Sequence, residues 1–188
     1  MMEQKARLRA MEPEDLDFLY AMENDHEVWN IGNASVPYSR YVLHDYIANS
    51  SNDIYNDGQV RMIVEDCERR TVGMVDVFDF NAQHRRAEIS IVVHRDFRRK
   101  GLAMSALEQI IHYALHTLHL RQLYAIVSQE NVASLVLFDK MGFERSAVLK
   151  DWLYDGDNYQ NAIVMQKILQ KTAEKFGDYR KISYLCTR

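Results

Sequence analysis

The run Arg98-Arg99-Lys100-Gly101-Leu102-Ala103 sets three cations and a glycine between an apolar stretch ending in Ile91-Val92-Val93 and a long helical pattern. At a strand-to-helix junction the first helical N–H groups have no intrahelical acceptor. They face out of the helix end, where the dipole favours negative charge. Glycine at 101 lets the main chain approach a ligand closely, and the small Ala103 keeps the first turn narrow. A diphosphate suits such a place, because each hydrogen bond to a charged group is worth about 1.5–3 kcal/mol net. A plain basic helix entrance suits the same residues, and a motif with one glycine does not choose between the two.

The elements that must position this turn follow from periodicity. Residues 4–11 alternate basic and apolar side chains and predict a strand ending at Glu12-Pro13. Leu16, Leu19 and Tyr20 then fall on one helical face to about Asn24, and a second helix capped by Ser39 runs to about Asn49. Strands are predicted over 59–66, 71–80 and 87–93, forming an antiparallel meander, with the turn Asn81 to Arg86 before the last. Residues 104–120 predict a helix of about five turns, with Leu102, Ala106, Ile110, Ala114 and Leu118 on its buried face beside Leu107, Ile111 and Leu115. A strand over 122–128, a helix over 131–141 stopped by Gly142, and a hairpin turning at Asp155-Gly156 complete the pattern. This order predicts an α+β fold, mixed α/β in character: a mostly antiparallel twisted sheet of about seven strands flanked by helices. Strands 87–93 and 122–128, joined through a helix, should run parallel as one right-handed β-α-β crossover.

Composition narrows the function classes. The 188 residues are 47% hydrophobic, enough for one core, and no repeat or linker divides them, so residues 1–170 read as one domain and 171–188 as a polar tail. A net charge of −4 argues against nucleic acid as a partner, since phosphate binding needs a concentrated cationic face. Cys67 and Cys186 lack the paired spacing of a zinc site or a disulfide framework, so no metal is expected and a reducing cytoplasm is the expected compartment. Neither a signal peptide nor an apolar run of membrane-spanning length is present, so no membrane association is expected.

Arg98-x-x-Gly101-x-Ala103 after Ile89-Ser90-Ile91-Val92-Val93, with Glu130-Asn131-Val132-Ala133-Ser134 and Met141-Gly142-Phe143 some thirty residues on, resembles the GNAT superfamily of acyl-CoA-dependent N-acyltransferases over about residues 5–168. The resemblance implies acetyl-CoA as co-substrate, with Arg98, Arg99, Lys100, Gly101, Leu102 and Ala103 around the pyrophosphate. Ile91, Val92 and Val93 would pair with the pantetheine arm, and Asn131, Ser134 and Phe138 would line its other side. The runs His84-Arg85-Arg86-Ala87-Glu88 and Gly156-Asp157-Asn158-Tyr159-Gln160-Asn161-Ala162 are similar to bacterial spermidine N-acetyltransferases, implying a polyamine acceptor and a homo-oligomer. Pro37-Tyr38 is shared with ribosomal-protein N-terminal acetyltransferases, so a protein N-terminus is the alternative acceptor.

Acetyl transfer to an aliphatic ammonium requires removing a proton with a pKa of about 10.4, which costs about 4.6 kcal/mol at pH 7. A positioned base contributes about 10²–10⁴-fold. The resemblance puts Glu88 in that role, its structural alternative being an ion pair with Arg85 or Arg86; His84 is a second candidate. Many family members protonate the departing thiolate with a tyrosine where this chain has Phe138, which has no proton to give. Tyr154, Tyr159 or water is then the proton source, or the chain is a catalytically weak CoA-binding module. The spermidine-type relatives also carry acids before Pro-Tyr where this chain has Ala34-Ser35-Val36. Asp25, Glu27, Asp45, Asp53 and Asp57 keep the region acidic, and Trp29 and Tyr38 are candidate walls of the acceptor site.

Overall fold

The computed structural model describes residues 5–25 and 36–170. In chain order it contains β1 (Arg7–Ala10), a 3-10 turn (Pro13–Asp15), α1 (Leu16–Glu23), α2 (Arg40–Asn49) and α3 (Ile54–Asp57). Then come β2 (Val60–Glu65), β3 (Thr71–Asn81), β4 (Arg86–Val93), a second 3-10 turn (Arg95–Phe97) and α4 (Leu102–His116). The chain continues through β5 (Gln122–Ser128), α5 (Val132–Lys140), β6 (Glu144–Tyr154) and β7 (Tyr159–Ile168). Among the described residues the strands form one sheet in the order β1-β2-β3-β4-β5-β7-β6. Every neighbouring pair is antiparallel except β4 and β5, which α4 connects and which run parallel, as the alternation of strand and helix predicts.

Period-two alternation sends successive side chains to opposite faces of the sheet. One face carries Leu8, Val64, Val75, Val77, Ala87, Ile89, Leu123, Ala125, Ile163 and Met165, and packs on the buried stripe of α4 and on Leu135, Phe138 and Phe143. The other carries Ile63 and Met74 under Leu19 and Met22 of α1 and Leu43 of α2, with Tyr38, Tyr46 and Val92 at the margin. Both faces of the sheet are thus covered, each by its own apolar layer.

Ser39 caps α2 by accepting the Val42 N–H, as expected. The helix of 15 residues, Leu102–His116, is shorter than the stretch 104–120 and begins two residues earlier. Leu118 and Leu120 are buried all the same, because His119 at φ 52 turns the chain back and the Leu120 N–H donates to the Ala114 carbonyl. Burial of two leucines there comes from a turn whose apolar spacing mimics a helix. Helix α3, absent from the periodicity reading, is one turn capped by Asp53 and stopped by Gly58 at φ 68. It is too short to show a repeat. Residues 171–188 lie outside the described residues.

Candidate active site

Strand β4 stays paired to β3 up to Val93, and β5 stays paired to β7 up to Ser128. Between β4 and β5 the pairing covers only Arg86 with Gln122, Ala87 with Leu123, and Glu88 with Tyr124. Beyond that rung the strands part. The facing edges of Ile89–Val93 and Ala125–Ser128 present main-chain donors and acceptors to the opening, suited to an extended amide-bearing arm. Gly73 holds β4 on its far side: a Cβ there would lie 2.4 Å from the Val92 carbonyl oxygen, so only glycine allows β3 to approach so closely.

The opening leads to the turn between β4 and α4. His94 starts it by accepting the Asp96 N–H, and the Arg98 Nε donates to the Val93 carbonyl at 3.0 Å. The Phe97 ring carries the Lys100 ammonium at 4.9 Å and the Arg70 guanidinium at 5.3 Å from its centroid. Arg99 (φ 62) and Gly101 (φ 82) both adopt left-handed backbone. The Ser105 N–H donates to the Gly101 carbonyl, so the N–H groups of Leu102, Ala103 and Met104 precede the first intrahelical bond. The first turn of α4 contains no acid, and Arg98, Arg99 and Lys100 crowd the positive end of its dipole. Cations there are unfavourable on their own and become favourable around an anion, which is the arrangement a pyrophosphate requires. Across the opening, Asn131 caps α5 by accepting the Ser134 N–H at 3.1 Å. Phe138 is only 3% exposed and meets Phe143 edge-on at 4.9 Å.

On the opposite face from Phe138, Glu88 stands half-buried at the fork. Burial pushes its carboxyl above the usual carboxylate range, and the Asp79 charge adds to the rise, against a bond from the Ile126 N–H and the nearby Tyr124 hydroxyl, which lower it. Tyr124 donates its phenolic proton to Asp79 in a short bond, and the Arg86 guanidinium lies 5.9 Å above the same ring. Two residues along β4, the Ser90 hydroxyl donates to Asp76 at 3.3 Å. Asp76 in turn accepts from Arg61 at 2.6 and 3.0 Å, while Arg61 also pairs with Glu23 at the end of α1 and lies over Tyr46 of α2. A polar seam therefore runs from the fork to both helices that cover this face.

Residues 5–144 match the acetyltransferase (GNAT) domain family. The chain belongs to the GNAT acetyltransferases. It is 31% identical over 160 residues to the spermidine N(1)-acetyltransferase of Escherichia coli K12, covering 85% of this chain and 83% of that protein. Its fold superposes on the spermidine N-acetyltransferase of Vibrio cholerae in complex with CoA and spermine with a TM-score of 0.76, at 25% identity, covering 87% and 95% of the two chains. A dodecameric structure of the Vibrio cholerae enzyme matches with a TM-score of 0.72 at 27% identity, over 87% and 94%. This GNAT enzyme is an acetyl-CoA-dependent N-acetyltransferase, and the parted strands and the cationic helix entrance fit the arm and the diphosphate of CoA.

Several residues singled out by sequence lie elsewhere. His84 is exposed in the β3–β4 turn, its N–H on the Asn81 side chain. Tyr154 and Tyr159 pair their rings at 5.0 Å on the exposed β6–β7 hairpin, with the Tyr154 hydroxyl donating to the Gly156 carbonyl at 2.5 Å. Asp53 caps α3, Asp57 accepts from Ser51, and Asp45 accepts from Asn49, so each is engaged locally. Tyr38 packs at the margin of the second core and exchanges two hydrogen bonds with Asn24. Trp29, Glu27, Ala34 and Ser35 lie outside the described residues. Tyr124, Asp79 and the Arg61–Asp76 pair are additions from the structure. Their sequence signal is the polar parity in β2, β3 and β5, which acquires meaning only when strand order sets those positions side by side. A depression of about 580 Å³ lined by Arg85, His119, Arg121 and Leu169 opens beyond the other end of α4, remote from this chemistry.

Proposed function

We propose that this GNAT enzyme transfers the acetyl group of acetyl-CoA to a primary amine of a polyamine, with Glu88 as the base. The observation that carries the reading is the pair of neighbouring carboxylates, Glu88 and Asp79, at the fork where β4 and β5 part. Two acids beside one opening suit an acceptor with more than one cationic nitrogen. The likeness to spermidine N(1)-acetyltransferase along 85% of the chain supports the same acceptor class.

Acetyl-CoA supplies the thioester whose acetyl group moves. Arg98, Arg99, Lys100 and the N–H groups of Leu102 and Ala103 hold its diphosphate, while the free edge of Ile91, Val92 and Val93 pairs with its arm opposite Asn131, Ser134 and Phe138. Glu88 takes a proton from the bound ammonium, leaving the nitrogen lone pair free to attack the thioester carbon. A carboxylate whose proton affinity is raised toward the working pH does this better than an ordinary one. Phe138, buried against Phe143 beneath the opening, has no proton to give. The departing thiolate needs no acid from it, since a thiol of pKa about 8.5 is a better leaving group than an amine of about 10.4, and it takes up the second proton of the attacking nitrogen through water. Residues 1–170 form the catalytic unit and 171–188 a tail. The enzyme works in the cytoplasm and as a homo-oligomer, the assembly being supported by the dodecameric relative.

An acceptor panel tests this: release of free thiol from acetyl-CoA with spermidine, spermine, diamines and short peptides. We expect kcat/KM for the triamine or tetraamine to exceed that for peptides by about tenfold or more, two extra charge contacts being worth over 1.4 kcal/mol. Fastest turnover of peptide N-termini overturns the polyamine reading, and no thiol release with any amine overturns catalysis.

A further inference from the structure

The phenol of Tyr124 reaches across β4. Its own strand, β5, pairs with β4 at Glu88, yet its hydroxyl donates to Asp79, which belongs to β3 on the far side of β4. That reach is possible because β3 departs from regular pairing between Phe78 and Asn81, and Asp79 takes left-handed backbone with φ 46 inside this bulge. Bulges re-aim side chains, and a non-glycine residue held at positive φ needs surroundings that over-determine it. Here the surroundings are one phenol and one guanidinium: Arg86 lies 4.0 Å from the Asp79 carboxylate and stacks above the Tyr124 ring. Glu88 stands between these partners, directly opposite Phe78 in the β3–β4 register and Tyr124 in the β4–β5 register.

We propose that Tyr124 and Asp79 are positioning residues that set the proton affinity of Glu88 in opposite directions. The argument rests on proton count. One phenolic hydrogen faces two carboxylates and can be donated to one at a time. Given to Asp79, as in the structure, it screens the charge that Glu88 faces. Given to Glu88, it directly favours the ionised form of the base. In either arrangement the hydroxyl holds the proton affinity of Glu88 down, and the Asp79 charge holds it up. Charged and titratable groups facing Glu88 from its neighbours are Asp79 of β3, Arg86 of β4 and Tyr124 of β5, and the Ile126 N–H also bonds its carboxylate. Asp76, further along β3, is already neutralised by Arg61. The left-handed bulge therefore delivers a second carboxylate to the base, and the tyrosine moderates its effect. This inference rests on the reading of Glu88 as the base.

The test is the pH dependence of kcat/KM for spermidine, measured for the full-length enzyme and three variants. Tyr124→Phe removes the shared hydrogen, so the acid limb should move to higher pH. Asp79→Asn removes the neighbouring charge and leaves only a weaker, neutral acceptor competing with Glu88 for the phenol, so the limb should move to lower pH with a severalfold loss in the plateau rate. Glu88→Gln should abolish the limb. A purely structural role for Tyr124 and Asp79 changes folded fraction or KM without moving the limb, so coincident limbs in wild type, Tyr124→Phe and Asp79→Asn overturn the proposal. So do shifts in the same direction. If Glu88→Gln retains the wild-type limb, the base assignment itself fails, which is a different outcome from an unmoved limb in the other two variants. Should Asp79→Asn fail to fold, Asp79→Ser keeps a side chain that can accept from Tyr124, and the downward shift is read from it.

Discussion

Glu88 on β4 and Tyr124 on β5 form the last rung of the parallel pair, and the strands separate immediately beyond them. The base candidate is therefore fixed at the point where sheet ends and opening begins, with β3 still gripping β4 from the other side through Gly73. A side chain so placed is rigid at its root and open at its tip.

Glu88→Gln should lower kcat about 10²-fold while leaving the affinity for CoA unchanged. The wild-type carboxyl sits above the usual carboxylate range and acts only when ionised, so the wild-type rate rises as pH increases through that raised value. Without the carboxylate the rate should follow the fraction of free amine and climb toward pH 10 instead. Steady-state rates across pH check this, and an unaltered profile removes Glu88 from proton transfer.

Gly101→Glu should weaken CoA binding at least about tenfold, since a carboxylate would meet the diphosphate at roughly 1.4 kcal/mol or more of repulsion. Gly101 also sits at φ 82, so any side chain there is strained. An energy of about 1–2 kcal/mol for left-handed backbone leaves the fold intact. Calorimetric titration with CoA decides the outcome, together with the unfolding midpoint of the variant.

Arg61→Met should lower the unfolding free energy by about 3 kcal/mol, because it strands Glu23 and Asp76, both about four-fifths buried, without their cation. The same change removes the polar tie of α1 and α2 to the sheet beneath them, so KM for the amine should rise more than kcat falls. Urea denaturation and acceptor kinetics measure the two effects. A loss below about 1 kcal/mol, the size of an exposed pair, would show that water already screens the seam.

Asp15 supplies a pH dependence of stability. Burial pushes its carboxyl up, but two bonds from the Arg9 guanidinium at 2.6 and 2.7 Å and the Glu12 N–H at 2.9 Å outweigh it and bring the group below the usual value. A lowered folded value means the contribution is fully present above the unfolded pKa of about 3.9 and is lost as pH falls through the folded one. Asp15→Asn should therefore be less stable at pH 7 and lose less on acidification. Melting temperatures of both proteins between pH 2 and 7 test it; parallel curves would refute the assignment.

Much of this molecule is legible in the residue order. The run from Arg98 to Ala103 is readable as a candidate anion site because its cations crowd the positive end of a helix dipole, an arrangement that a plain basic helix entrance shares. Ser39, Gly142 and Asp155-Gly156 mark element ends through caps and turns that act within a few residues. The helix after the loop is readable for its buried stripe but not for its end, since Leu118 and Leu120 continue an apolar spacing that a left-handed His119 has already taken out of the helix.

Sequence by itself thus determined the class of fold and the parallel crossover, and marked the turn after β4 as the candidate site for the donor, because local chemistry and period carry that information. Tertiary structure decided what stands around the base. Asp79, Glu88 and Tyr124 belong to three strands, and nothing in their spacing states that a bulge on β3 would turn one carboxylate toward another's tyrosine. Strand order and register made them neighbours, and those are set by the long-range packing of the whole sheet.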